Sequence, residues 1–291
     1  MSSRKTFTSG EEKNKIEQGT LYLVATPIGN MADLSERAVK VLSEVDTVAA
    51  EDTRNSARLL TSLGIRKPLI SYFEHNKRER GEEICALLSE GQSIALITDA
   101  GTPAISDPGE DLVRLCAEKG IKVTSVPGCC AAINALSLSA LATGKFVFEG
   151  FIPVNKAERR ERIAFLSEET RTMIVYEAPH KLRNTLSDLC SAFGEDRKIA
   201  LCREMTKLNE EVMRTTIGEA VEIYREREPK GEYVLIIEGA SPKAKKEDGR
   251  SPRERVADYI SGGMDKKDAV KLVAKEMGVP KNVVYSETLD L

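Results

Sequence analysis

Ile97-Thr98-Asp99-Ala100-Gly101-Thr102-Pro103-Ala104-Ile105-Ser106-Asp107-Pro108-Gly109 joins an apolar run, Ser93-Ile94-Ala95-Leu96-Ile97, to a helical pattern, Asp111-Leu112-Val113-Arg114-Leu115-Cys116. The apolar run reads as a parallel strand covered on both faces. A loop rich in Gly, Pro, Ser, Thr and Asp at the carboxyl end of such a strand sits where open α/β sheets hold ligands. Its glycines allow close backbone approach and its prolines stiffen it. An ordinary strand-to-helix connection is the competing reading, and connections of that kind are usually short.

Outward from this loop, strand and helix patterns alternate. Thr20 to Ala25 is an apolar run ending in Thr26-Pro27-Ile28-Gly29-Asn30, and Asp33-Leu34-Ser35-Glu36 has the spacing of a capping box for a helix through Val45. Asp46 to Ala50 is a short strand. Glu51 to Leu63 is helical and stops at Gly64. Leu69 to Tyr72 is strand-like, Arg78 to Glu90 is an amphipathic helix, and Ile121 to Val126 is a strand closed by Pro127-Gly128. Cys129 to Leu141 reads as a buried, small-residue helix. The alternation predicts a mostly parallel sheet with right-handed crossovers.

A second α/β unit is expected from Phe151, with strands at Thr172–Tyr176, Lys198–Cys202 and Glu232–Glu238 and a capping box at Thr216-Ile217-Gly218-Glu219. The expected organisation is a mobile tail over 1–18, α/β domains over 19–150 and 151–240, a linker over 241–251 and a helical tail over 252–291. That tail reads as helices at Arg253–Ser261, Lys266–Met277 and Val283–Thr288. It suits nucleic-acid binding, packing or dimerisation equally well.

The chain has 291 residues, 41% hydrophobic and 31% charged, with net charge −3. This is a globular composition that excludes a uniformly basic nucleic-acid binder but allows basic patches. No apolar run approaches the roughly 20 residues of a membrane helix, and no secretion signal is visible. The cysteines at 85, 116, 129, 130, 190 and 202 form no Cys-x-x-Cys pair and read as reduced core residues. With His75 and His180 as the only histidines, no metal site is expected. There is no Gly-x-Gly-x-x-Gly after the first strand, no phosphate loop and no Gly-x-Ser-x-Gly elbow.

Pro27-Ile28-Gly29-Asn30, Glu51-Asp52-Thr53-Arg54, Glu74-His75-Asn76, Thr98–Pro103 with Ser106–Gly109, Glu177-Ala178-Pro179-His180 and Gly231-Glu232-Tyr233-Val234 together resemble the tetrapyrrole-methylase superfamily. In order and spacing they are similar to its bacterial branch that methylates the ribose 2′-oxygen of a cytidine in 16S ribosomal RNA. The resemblance runs from about Thr20 to the C-terminus. It implies two α/β domains, S-adenosylmethionine folded in the cleft between them, a cytoplasmic homodimer and 16S RNA in the small ribosomal subunit as partner. By position it implies Asp99, Ala100, Gly101 and Thr102 along the donor. It further implies Ala131 and Ala132 touching the donor through their backbone, Tyr176 and Tyr233 closing the site, and Pro27 in the facing loop. Many tetrapyrrole-acting members carry Gly-Asp-Pro where this chain has Thr98-Asp99-Ala100.

Methyl transfer to a ribose hydroxyl needs in-line geometry and gains from a general base. Candidate bases are Asp52, Glu74, His75 and Asp107. Asp52 can equally offset a helix dipole, and His75 can be an exposed loop residue. His180, at a helix start, can organise the loop between the domains. Arg54 is a phosphate or carboxylate partner, because guanidinium stays protonated. Lys156, Arg159, Arg160 and Arg162 form a basic cluster that is either a solvated helix face or a contact for RNA phosphates. The alternatives to an RNA methyltransferase are a tetrapyrrole C-methyltransferase on the same fold and a ligand-binding module without chemistry.

Overall fold

The computed structural model describes residues 15–241 and 250–291. Most of the expected tail at 1–18 and linker at 241–251 lies outside the described residues. One compact unit ends at Ala240 and a second holds the C-terminal helices.

The first sheet contains β1 (Thr20–Val24), β2 (Thr47–Ala50), β3 (Leu69–Ser71), β4 (Ile94–Ile97) and β5 (Lys122–Val126) in the order β3-β2-β4-β1-β5. Every pairing is parallel. Helices α1 (Glu36–Glu44) and α2 (Thr53–Ser62) cover one face through Val41, Leu42 and Leu60. Helices α3 (Lys77–Ser89) and α4 (Glu110–Glu118) cover the other through Ile84, Leu88 and Leu112. Burial from both sides leaves every residue of β2 and β4 buried, as crossover topology demands. The cap of α1 is Ser35, whose hydroxyl accepts from the Ala38 N–H at 3.1 Å. The expected Asp33 cap instead lies in a short 3-10 turn capped by Asn30.

The chain then forms α5 (Ala131–Leu138), β6 (Phe146–Phe151), α6 (Lys156–Ser167), β7 (Thr172–Glu177), α7 (Pro179–Phe193), β8 (Lys198–Arg203), β9 (Glu211–Thr216), α8 (Ile217–Glu226) and β10 (Tyr233–Ile237). These strands make a second sheet in the order β6-β7-β10-β8-β9. Only β6–β7 is parallel, so the mostly parallel expectation does not extend to this half. Strands β6 and β9 are the edges. The first carries a register shift between Phe148 and Gly150, which obscures its period of two. It also straddles the boundary expected at 150/151. The capping box at Thr216 is formed, with its hydroxyl and the Glu219 carboxylate exchanging backbone bonds.

Helices α6, α7 and α8 pack one face of this sheet through Leu166, Leu182, Leu186, Leu189 and Tyr224. The opposite face is covered by α5, whose Ala132, Ala135 and Leu136 meet Ile174, Ala200, Val234 and Ile236. Arg214 of β9 donates to the Leu138 carbonyl at 2.9 and 2.6 Å, a cation placed where the helix dipole is negative. Contrary to the buried-helix expectation, α5 is buried on one side and open on the other. Ile133 and Leu138 on its far side are 49% and 39% exposed.

In the second unit, α9 (Pro252–Ser261), α10 (Lys266–Met277) and α11 (Lys281–Ser286) enclose a small core of Val256, Val270, Val273 and Val284. Gly278 ends α10 in the left-handed region at φ +66°.

Candidate active site

Strands β1 and β4 lie side by side, and the helices that follow them leave onto opposite faces. That divergence opens a crevice at the carboxyl ends of the two strands, where open α/β sheets bind ligands. The loops bounding it are stitched together. The Thr26 N–H donates to the Gly101 carbonyl at 2.9 Å and the Gly101 N–H returns to Thr26 at 3.1 Å. The Thr26 hydroxyl donates to the Thr98 carbonyl at 3.0 Å, and the Thr102 hydroxyl to the Cys129 carbonyl at 2.9 Å. Ala104 and Ser106 hold positive φ of 69° and 61°, the kind of backbone strain that persists where surrounding structure enforces it.

The second sheet supplies the facing wall. Phe151 ends β6, Tyr176 to His180 lead into α7, Met205 follows β8, and Glu232 to Val234 open β10. Together the two sides enclose a cavity of about 600 Å³, a size ordinary for a small-molecule site. The Tyr176 hydroxyl accepts from the Ala132 N–H at 3.2 Å, and its ring packs edge-on to Phe148 and Phe151 at 5.2 and 5.7 Å. Burial pushes this phenol up to about 12, so it stays neutral.

Carboxylates dominate the electrostatics. Glu51, Asp99, Asp107, Glu177 and Glu232 all line the cavity. Burial, followed by the negative charges of Glu51 and Asp99, raises Asp107 to about 6. Burial and then Asp99 likewise raise Glu51. Asp99 is held by the Asn55 side-chain amide at 3.1 Å. Ile28, Ile105, Cys130, Ala131, Met205 and Val234 supply apolar wall between these charges. The set suits a cationic, partly apolar small molecule that presents its charge to several carboxylates.

Asp99, Ala100, Gly101, Thr102, Ala131, Tyr176 and Tyr233 are brought together on the cavity. Ala132 lies just behind it, its N–H already bonded to Tyr176. Tyr233 is buried with its hydroxyl facing Tyr224 at 3.4 Å, so that polar group points into the core. Pro27 is not on the lining, and its neighbour Ile28 takes that place.

Asp52, Glu74 and His75 are not brought to the cavity. Asp52 caps α2, accepting from the Arg54 N–H at 2.8 Å, and that bond lowers its pKa. Glu74 pairs with Lys77 at 2.7 Å, and Lys77 also holds Asp111. His75 is exposed beside Phe73 at the end of the edge strand β3. Arg54 is 88% exposed and, among the described residues, pairs with Asp52 alone. The basic cluster is also divided. Arg162 forms a forked pair with Glu149, and Arg159 donates to Asp188 at 2.7 Å and to Thr185 at 2.9 Å. Arg160 makes no ion pair with any described residue. Phe151 and Met205 stand outside every motif of the sequence, and Glu51 and Glu232 stand within motifs but carry no assigned role there. Strand register was the missing signal for Glu51, because Ala50 pairs with Ile97 and sets the next residue beside the Thr98 loop.

Two sheets joined through α5, with a carboxylate-lined crevice at the first sheet's switch point, define the class. The profile described as Tetrapyrrole (Corrin/Porphyrin) Methylases matches residues 20–221, and the chain belongs to that family. Its relatives include the ribosomal RNA small subunit methyltransferase I of Synechocystis, 43% identical over 94% of this chain and 98% of that protein. The protein of the same name from Escherichia coli O157:H7 is 44% identical over 94% and 96%. Among solved structures, uroporphyrin-III-C-methyltransferase from Thermus thermophilus aligns with TM-score 0.54 and 20% identity, over 75% of this chain and 94% of that one. A form of the Thermus enzyme complexed with S-adenosyl homocysteine aligns equally well at 16% identity, over 75% and 97%.

Proposed function

We propose that this chain is an S-adenosylmethionine-dependent methyltransferase that modifies the ribose 2′-oxygen of a cytidine in 16S ribosomal RNA. The observation that carries this reading is near-full-length likeness, above 40% identity, to proteins named for small-subunit ribosomal RNA methylation. A tetrapyrrole substrate is the weaker reading, because the tetrapyrrole enzymes align over only 75% of the chain and at no more than 20% identity.

The cavity fits the donor. Its volume falls within the roughly 300–1,000 Å³ of small-molecule sites. Its carboxylates complement a sulfonium and an ammonium group, and its apolar walls suit an adenine ring. Asp99, Gly101, Thr102, Ala131 and Tyr176 would hold it. When bound, S-adenosylmethionine supplies an electrophilic methyl group. The protein's work is then orientation, which can lower the barrier by roughly 7–11 kcal/mol, and removal of one proton from the acceptor hydroxyl. Asp107 takes that proton. It replaces Asp52, Glu74 and His75 as the base because it alone of the four lines the cavity. With a pKa of about 6 it is ionised at neutral pH and more basic than an ordinary carboxylate.

The protein works in the cytoplasm, where such a substrate resides; no helix among the described residues is long and apolar enough to cross a membrane. Exposed Phe146, Phe148 and Phe151 on the edge strand β6 suit pairing with a second copy. The test is transfer of tritiated methyl to undermethylated 30S particles, free 16S RNA and uroporphyrinogen. Label in the ribose of the small-subunit RNA is the expected result, and label in the tetrapyrrole alone refutes the reading.

A further inference from the structure

Helices α6 and α7 leave a groove of about 690 Å³ between them. On α6 it is lined by Lys156, Arg159, Arg160, Ile163 and Ala164, one face of a helix at the expected spacing. On α7 the corresponding stripe is Lys181, Asn184, Ser187, Asp188 and Ser191. Four cations thus face one carboxylate, and Asp188 is already paired with Arg159. The stripe on α7 spans about 15 Å at 1.5 Å per residue. The excess of positive charge is local, because the whole chain carries net charge −3.

The groove and the cavity are built on the same helix. Pro179 and His180, in the first turn of α7, line the cavity, and Lys181 opens the groove. They also share a hydrogen-bonded framework. Arg159 donates to the Thr185 hydroxyl at 2.9 Å, and that hydroxyl donates to Glu177, a buried carboxylate on the cavity wall. Arg159 is therefore tied to α7 at two points, Thr185 and Asp188, and belongs to the scaffold of the groove. Lys156, Arg160 and Lys181 make no ion pair with any described residue.

We infer that this groove is the track for the RNA backbone, with Lys156, Arg160 and Lys181 on successive phosphates and Asn184 and Ser187 donating between them. A strand lying along α7 is delivered over its first turn to the cavity. The inference rests on the ribosomal-RNA reading above and assigns its docking surface. Phosphate contacts set orientation without reading sequence, which is what a groove lined by lysine, arginine and small polar residues provides.

The experiment is filter binding of 16S RNA over a salt series, comparing the wild-type chain with the Lys156→Ala/Arg160→Ala/Lys181→Ala variant. S-adenosylhomocysteine calorimetry runs on the same preparations. Each lost phosphate contact flattens the slope of log affinity against log salt by about 0.7–0.9. The triple variant should therefore lose about 2–3 from that slope and bind at least tenfold more weakly at low salt, with unaltered S-adenosylhomocysteine affinity. Arg160→Glu alone gives a second reading with one side chain changed and should weaken binding further than Arg160→Ala. Wild-type slope in the triple variant, with RNA methylation intact, overturns the groove and leaves the enzyme reading standing. Failure of the wild-type protein to bind or methylate any RNA overturns both.

Discussion

Replacing Asp107 by asparagine separates the chemistry of the cavity from its stability. The carboxyl group is held near 6, against an ordinary value of 3.8, because it is half-buried and faces Glu51 and Asp99. A shift of about 2 units corresponds to about 3 kcal/mol. Water on the open side of the cavity screens this to the order of 1–2 kcal/mol. The sign follows from the raised folded value. Above pH 6 the folded protein carries an ionised carboxylate that it holds less well than the unfolded chain does. As pH falls from 6 toward 3.8 the folded state takes up the proton first and the penalty disappears. Asp107→Asn should therefore melt higher than wild type at pH 8, with the difference fading by pH 4. Its methyl-transfer rate should fall by about 10²–10⁴-fold, with S-adenosylhomocysteine affinity preserved. In the wild type kcat/KM should rise tenfold per pH unit below about 6 and level off above it. Single-turnover transfer from pH 5 to 8, beside thermal melts of both proteins, measures each effect. A folded Asp107→Asn protein with near-normal rate, or a flat wild-type profile, refutes Asp107 as the base.

Asp99→Ala should weaken S-adenosylmethionine binding about tenfold by calorimetry while leaving the fold intact, since Asp99 is exposed on its loop; wild-type protein should bind neither NAD nor ATP. Saturating S-adenosylhomocysteine should raise the melting temperature of the wild type more than that of Asp99→Ala. Gly109→Ala should destabilise by about 1–3 kcal/mol in urea unfolding, because φ is +145° and the new Cβ would lie 3.0 Å from the Ala104 nitrogen and the Leu96 side chain. Arg162→Ala should cost about 1–3 kcal/mol by leaving the largely buried Glu149 carboxylate unpaired, without changing the salt slope for RNA.

The first sheet was legible because parallel strands covered on both faces write continuous apolar runs, such as Ile94–Ile97, punctuated by glycines at Gly64 and Gly91. The loop that lines the cavity was legible because it interrupts that rhythm with Gly, Pro and Asp. What stayed hidden depends on pairing. Phe146–Phe151 is an edge strand with a bulge, and Glu211–Thr216 is an edge strand of mixed polarity, so neither announces itself in one dimension. Within the site, Asp52 and Asp107 look alike as residues. One caps a helix at the surface while the other is desolvated beside two like charges, a difference that only tertiary structure creates. How the basic cluster divides was hidden for a related reason, since Arg159 and Arg162 meet Asp188 and Glu149 on other elements of the chain.

Helix α5 departs from the first sheet immediately after β5 yet lays its apolar side on the second sheet, against Ile174, Ala200, Val234 and Ile236. Neither half of the first compact unit is therefore a self-sufficient part. A fragment ending before β6 would carry α5 with nothing to cover it, and a fragment beginning at β6 would leave an apolar sheet face open to solvent and to self-association. Although the two sheets are separate in topology, they should melt in one transition, and attempts to exchange one half for its counterpart from a distant relative should succeed only when the crossover point carries α5 along with the second sheet.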